Sequence, residues 1–208
     1  MFKNTVQIIG TGPGNRDYLL PIAKKAIEEA DCLMGARRVL SQFNYPKKEK
    51  VYFEGHIDKI TPFIKNNLGE KKIAVLVSGD AGLYSFLGKI SRAFKKKDYA
   101  VISGISSLQL AFAKIGESWE DAKIISLHGR KPQNLIEEAK NSRKMFLFLD
   151  AKFPPQKVAR YLLDKGIKNK QAFVFENLSY PNERIIATDL KNLSKMDGFA
   201  LCVMIIKK

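Results

Sequence analysis

Three times in its first half the chain repeats one local pattern: a short apolar run, a turn of glycine and serine, then an amphipathic stretch. The instances are "VQIIGTGPGNRDYLL" from Val6, "KKIAVLVSGDAGLYS" from Lys71 and "YAVISGISSLQLAFAKIG" from Tyr99. Short apolar runs bounded by turn residues read as buried strands. A strand that exits into a helix must cross over before its neighbour can pair, and that makes the pair parallel. The pattern therefore predicts a mostly parallel sheet with helices on both faces. Strands are expected at 6–9, 32–35 ("CLMG"), 73–77 and 100–102. In the first helix Leu19, Ile22, Ala23, Ala26, Ile27 and Ala30 share one face of a 3.6-residue period. Asp17 is its expected N-cap, and Pro21 fits a first turn. "GLYSFLGKISRAF" reads as the second helix, and the third runs to about Ile115.

After "KIGESWEDA" the pattern changes. "KIISLHGR", "KMFLFLD", "QAFVFENL" and "FALCVMIIK" read as strands, "ERIIATDLKNL" as a strand and then the start of a helix, with helices in "NLIEEAKN" and "QKVARYLLDKG". The second half is richer in strand, so the fold class is α/β in two domains with parallel to mixed sheets, 1–117 and 118–208. No period of 20–50 residues and no low-complexity tract suggests a solenoid or a tail.

Composition sets limits. With 45% hydrophobic residues in 208, the chain can bury a sizeable core. No run approaches the roughly 18 apolar residues of a membrane span, and "MFKNTVQII" lacks the features of a secretory signal. Cys32 and Cys202 both lie in apolar runs and read as buried thiols of a reducing compartment. A cytoplasmic protein with no membrane partner is expected. Lysine and arginine exceed the acids by 15. A solvated, lysine-rich surface accounts for that excess, and a polyanionic partner such as RNA is the alternative.

The motifs exclude more than they assign. "GTGPGN" has asparagine where the dinucleotide fingerprint needs its third glycine. Pro13 removes a backbone donor where a pyrophosphate would want one. An NADP-dependent oxidoreductase survives as an alternative only because Arg37-Arg38 follow the second strand and suit a 2′-phosphate. "GLYSFLGKI" fails as a P-loop, and "GISSL" lacks the final glycine of a nucleophile elbow. Two histidines and two cysteines, widely spaced, make no metal pattern, so no metal is expected. What remains is a set of permissive turns at strand exits, where open parallel sheets bind ligands. Ser78, Gly79 and Asp80 form one, with Asp80 either an acceptor or a helix cap. Ser106 and Ser107 lie in another. "SLHGR" puts His128 and Arg130 at a strand exit, a candidate general base and a fork for a carboxylate.

"GTGPGNRDYLLPIAKKAIEEAD", "SGDAGLYS" and "ISGISSLQLAFAKIG" together resemble the tetrapyrrole methylase family. "SLHGR" and "ENLSYPNERI" are similar to its branch that methylates carbon 5 of the cobalt-precorrin macrocycle in cobalamin synthesis. Two positions depart from the family: Ala81 and Ser103 stand where it usually has proline. Each drops a backbone constraint and removes no functional side chain. The resemblance implies two α/β domains with a cofactor cleft between them, S-adenosylmethionine as methyl donor and a corrinoid small molecule as substrate. It implies that Pro13, Ser78, Gly79, Asp80, Leu83, Ser106 and Ser107 hold the cofactor from the first domain. Leu149, Asn177, Leu178, Ala200 and Leu201 would bracket its adenine from the second. His128 becomes the candidate base. Arg37, Arg38, Arg130 and Lys131 become candidates for the substrate carboxylates. A homodimer, no nucleic-acid partner, and a separate protein for the carbon-15 methylation and decarboxylation complete the expectation.

Overall fold

The computed structural model describes residues 5–53, 57–129 and 134–208. It divides into two compact units, Met1–Ser106 and Ser107–Lys208.

The first unit holds strands β1 (Val6–Gly10), β2 (Cys32–Gly35), β3 (Glu49–Tyr52), β4 (Ile73–Val77) and β5 (Tyr99–Ile102), with helices α1 (Pro21–Glu29), α2 (Arg37–Leu40), α3 (Ile57–Asn67) and α4 (Leu87–Ala93). The sheet order is β3-β2-β4-β1-β5, and every pair is parallel. Both faces are covered. Ile9, Leu33 and Leu76 pack with Ala23, Ala26 and Ile27 of α1 on one side. Val6, Ile8, Met34 and Val75 pack with Ile60, Ile64 and Ile90 on the other. Burial on two faces is why β1 and β4 read as unbroken apolar runs.

Several expected details shift. Asp17 does not cap α1. It lies in a separate 3-10 turn, Arg16–Tyr18, whose N-cap is Asn15, and α1 opens at Pro21. Ile22 is 51% exposed and lies off the buried face. The helix expected through "GLYSFLGKISRAF" begins only at Leu87, because Tyr84 takes a left-handed φ of 49°. Three elements went unread, the first of them the four-residue α2. β3 carries "EKVY" at the sheet edge and shows no alternation. α3 carries Pro62 inside it.

The second unit holds α5 (Ser107–Lys114), β6 (Lys123–Ser126), α6 (Leu135–Asn141), β7 (Lys144–Phe148), α7 (Pro155–Asp164), β8 (Gln171–Glu176), β9 (Arg184–Asp189), α8 (Leu190–Leu193) and β10 (Cys202–Lys207). Its sheet runs β6-β7-β10-β8-β9, parallel only at β6-β7, so the last strand of the chain lies at the centre. Val158, Ala159 and Leu162 of α7 join Leu147, Val174 and Met204 in one core. Contacts group α5 with this unit, one helix earlier than the change of sequence pattern at 117/118. Phe112 packs 6.3 Å from the Phe146 ring, and Lys114 pairs with Glu183 at 2.6 Å. Both cysteines are buried and unbridged. Among the described residues no helix is long and apolar enough to cross a membrane.

Candidate functional site

All five strands of the first unit are parallel, so their carboxyl ends share one edge, and the three glycine turns all lie there. The turns touch through bare backbone. A methyl group on Gly10 would sit 2.6 Å from the Gly104 amide nitrogen and 2.7 Å from the Gly79 carbonyl oxygen. One on Gly104 would sit 2.3 Å from that same oxygen. Gly12 and Gly79 exchange backbone hydrogen bonds: the Gly79 N–H donates to Gly12 O at 2.7 Å and the Gly12 N–H to Gly79 O at 3.2 Å. The Thr11 hydroxyl, buried, donates to Val77 O at 3.0 Å. The glycines are therefore required first by each other.

Asp80 completes the assembly. Its Oδ1 accepts the Gly82 N–H at 2.7 Å and its Oδ2 accepts the Gly104 N–H at 3.0 Å. The side chain staples the second turn to the third and caps no helix. Gly79 takes φ +70°, and a methyl group there would meet only the Ser106 Cα, at 3.7 Å. Ser106 is buried beside it, Pro13 is buried, Leu83 is half-buried and Ser78 is exposed. Ser107 starts α5 and belongs to the second unit.

The three turns, 10–15, 78–83 and 103–107, contain no lysine or arginine. The 3-10 turn and Leu19-Leu20 separate the first turn from α1, so the helix does not open directly on that loop as it does at phosphate sites. This edge does not have the build of a pyrophosphate cradle.

In the second unit the ends of β6, β7 and β8 and the start of β10 share one edge, by their register. It brings together His128, Leu149, Asn177, Leu178, Ala200 and Leu201. Asn177 has φ 49°, and its N–H donates to Leu201 O at 2.9 Å. Leu149 and Leu178 are buried, while Leu201 is 44% exposed. His128 is exposed, with Nδ1 3.5 Å from the Leu149 carbonyl. A ring protonated at Nδ1 would leave Nε2 as an acceptor.

Sequence reasoning passed over Asp150 beside it. The Asp150 carboxylate accepts the Gly129 N–H at 2.8 Å and the N–H groups of Lys152 and Phe153 at 2.9 and 3.0 Å. Burial opposes its ionisation, but the N–H donors of Gly129, Phe153 and Lys152, with His128 nearby, hold the carboxyl below its usual range. An aspartate two residues past the end of β7 was the available signal.

The remaining candidates are placed differently. Arg37 and Arg38 are exposed at the carboxyl end of β2, and Arg37 lies 4.9 Å from the Tyr52 ring centroid. Arg130 and Lys131 fall outside the described residues. A cleft of about 370 Å³ on the first unit is lined by Arg16, Lys24, Phe43 and Tyr45, among others, and includes none of the sequence candidates. Among the described residues no cluster of His, Cys, Asp or Glu is placed to hold a metal ion.

Residues 5–194 match the family model described as tetrapyrrole (corrin/porphyrin) methylases. The chain is 39% identical, over 96% of both lengths, to a probable cobalt-precorrin-7 C(5)-methyltransferase of Methanocaldococcus jannaschii. It is 33% identical to the cobalt-precorrin-7 C(5)-methyltransferase of Salmonella typhimurium, over 86% of this chain and 87% of the other. Among solved structures, the fold matches uroporphyrin-III C-methyl transferase from Thermus thermophilus complexed with S-adenosylhomocysteine. The TM-score is 0.79 at 20% identity, covering 98% of this chain and 92% of the other.

Proposed function

This chain belongs to the tetrapyrrole (corrin/porphyrin) methylase family, and on that footing we propose that it transfers a methyl group from S-adenosylmethionine to carbon 5 of a cobalt-precorrin macrocycle. The observation that carries the reading is similarity over most of the chain, at 39% and 33% identity, to a probable and a named cobalt-precorrin-7 C(5)-methyltransferase.

The residues fit such a donor. A ligand without phosphate needs no cationic cradle, and the three first-unit turns offer none. They offer backbone at Gly79, hydroxyls at Ser78 and Ser106 and apolar walls at Pro13 and Leu83. These would hold the amino-acid and ribose parts, while Leu149, Asn177, Leu178, Ala200 and Leu201 would take the adenine. Asp80 serves by fixing the turns, since both its oxygens are engaged by backbone N–H groups.

When bound, the sulfonium supplies an activated methyl group and a good leaving group. The protein's task is alignment of the attacking carbon with that methyl, which supplies up to about 7–11 kcal/mol of a barrier when the geometry is held. In this reading His128, exposed on the second-unit edge, is the group that would accept the proton released from the ring system. Arg37 and Arg38, with Arg130 and Lys131 in the sequence, would meet the substrate carboxylates, and here the excess of 15 positive charges finds a use.

The test is calorimetric titration with S-adenosylhomocysteine and, separately, NADPH, followed by labelled S-adenosylmethionine with a panel of precorrins and NMR location of the new methyl. Binding of S-adenosylhomocysteine and a methyl on carbon 5 are expected. Tight binding of NADPH alone would sink the proposal.

A further inference from the structure

Glu176 is the last residue of β8 and only 7% exposed. A buried carboxylate is costly unless it is paired and hydrogen-bonded. Here both oxygens are. Oε1 accepts the Ala200 N–H at 2.7 Å, and Oε2 accepts Arg184 Nε–H at 2.8 Å. Arg184, the first residue of β9, also lies 5.3 Å from the ring centroid of Phe199. One carboxylate thus gathers the exit of β8, the start of β9 and the segment leading into β10. Next to it, the Asn177 N–H donates to Leu201 O. Asn177-Leu178 and Ala200-Leu201 are therefore held face to face by two bonds, one of them to Glu176.

An apolar residue at the end of β8 would extend the core without a desolvation cost. A buried polar group can fix register at a cost in stability, the best-attested use of such groups. The register it fixes is the spacing between two short segments that present backbone, the Asn177 amide and Leu201 at the edge, with Leu178 buried behind them. We propose that Glu176 is a positioning residue: it sets the spacing of Asn177-Leu178 against Ala200-Leu201, so that the edge receives the adenine of the methyl donor. This rests on the methyl-donor reading above. Arg184 acts at one remove, keeping Oε2 engaged so that Oε1 stays on Ala200.

The experiment compares three variants by calorimetry with S-adenosylhomocysteine. Glu176→Ala removes both bonds, and its Kd should rise about tenfold, in line with loss of a hydrogen bond to a charged group. Glu176→Gln can keep the Ala200 bond through its amide oxygen but turns a donor toward Arg184, so a rise of roughly threefold is expected. Asp189→Ala removes the cap of α8 in the same unit, where Asp189 accepts the Asn192 N–H at 2.8 Å, and should lower stability while leaving Kd unchanged. In turnover assays the Glu176 variants should raise KM for S-adenosylmethionine and leave kcat within about twofold. Glu176→Ala binding as tightly as the parent, or Asp189→Ala weakening binding equally, overturns the role. Hydrogen exchange at the Ala200 amide separates this inference from the reading beneath it. If the parent protein fails to bind S-adenosylhomocysteine, the methyl-donor reading fails and the adenine with it. Faster Ala200 exchange in Glu176→Ala would then still establish the clasp, and unchanged exchange would overturn it.

Discussion

Replacing Gly104 by alanine adds one methyl group where three backbones already touch. The new carbon would lie 2.3 Å from Gly79 O, 2.7 Å from Gly10 C and 2.8 Å from Gly10 O. Ordinary contact begins near 3.4 Å, so the turns must part by about 1 Å, and the atoms that must yield are main chain at the ends of β1 and β4. Overpacking of a tight core costs about 1–3 kcal/mol, and rigid neighbours put this case at the upper end. The same movement stretches the bond from the Gly104 N–H to Asp80 Oδ2, and bonds to charged groups contribute about 1.5–3 kcal/mol. A loss of roughly 3–5 kcal/mol follows, a large share of the 5–15 kcal/mol typical of a folded domain. In a chain of this size that is a fall in Tm of roughly 6–20 °C. Circular dichroism with urea and with heat reads the loss, and calorimetry at 10 °C reads S-adenosylhomocysteine binding by the folded fraction, which should weaken as well. Gly88→Ala is the control. Gly88 lies in α4 with no heavy atom within 4 Å of an added methyl, and alanine there should raise stability by up to about 1 kcal/mol. Gly104→Ala within about 1 kcal/mol of the parent would refute the packing account. Destabilisation with undiminished ligand affinity would refute the link between that packing and the site.

Two further outcomes are expected. The Asp150 carboxyl is held low in the folded state, so its stabilising contribution is full above the unfolded carboxylate range and is lost as pH falls through the lowered folded value. Asp150→Asn should therefore be less stable than the parent at pH 7 and converge on it below about pH 4, as followed by urea midpoints across pH; parallel profiles would contradict the assignment. Burial, helped by nearby carboxylates, pushes the Cys32 and Cys202 thiols up to about 12, which leaves roughly one thiolate in 10⁴ at pH 8. Iodoacetamide should leave the native protein unlabelled and modify both residues in guanidinium, with mass spectrometry as the readout; stoichiometric native labelling would count against the burial.

The strand exits were legible because each is local: an apolar run, a glycine or serine turn and an amphipathic stretch are contiguous. What stayed hidden depends on partners far along the chain. Gly10, Gly79 and Gly104 each look permissive alone, and only the sheet shows that they exclude side chains from one another. Asp80 looked equally like a cap because its second partner, Gly104, is a crossover away. Glu176 carried no signal for Ala200. β3 was missed because its four residues at the sheet edge, half-buried in the middle and exposed at both ends, show no alternation, and α3 went unread with Pro62 inside it. Ile22 fitted the period yet faces water, since periodicity fixes an angle and not what lies opposite.

The strand order also bears on the order in which the protein can assemble as it is made. In the first unit β1 waits for both neighbours, β4 and β5, so its edge of turns is unfinished until residue 106 has emerged. In the second unit the wait is longer. β10 pairs with β7 on one side and β8 on the other. Without Cys202–Lys207 the sheet is two separate ribbons, β6-β7 and β8-β9, each with an open edge. Long-range pairing of this kind is slow and leaves such edges exposed meanwhile. A chain lacking Cys202–Lys207 would keep a complete first sheet and hold the second in two pieces. Chaperone dependence and sensitivity to substitutions in β10 should accordingly concentrate in the half that carries the proposed adenine contacts.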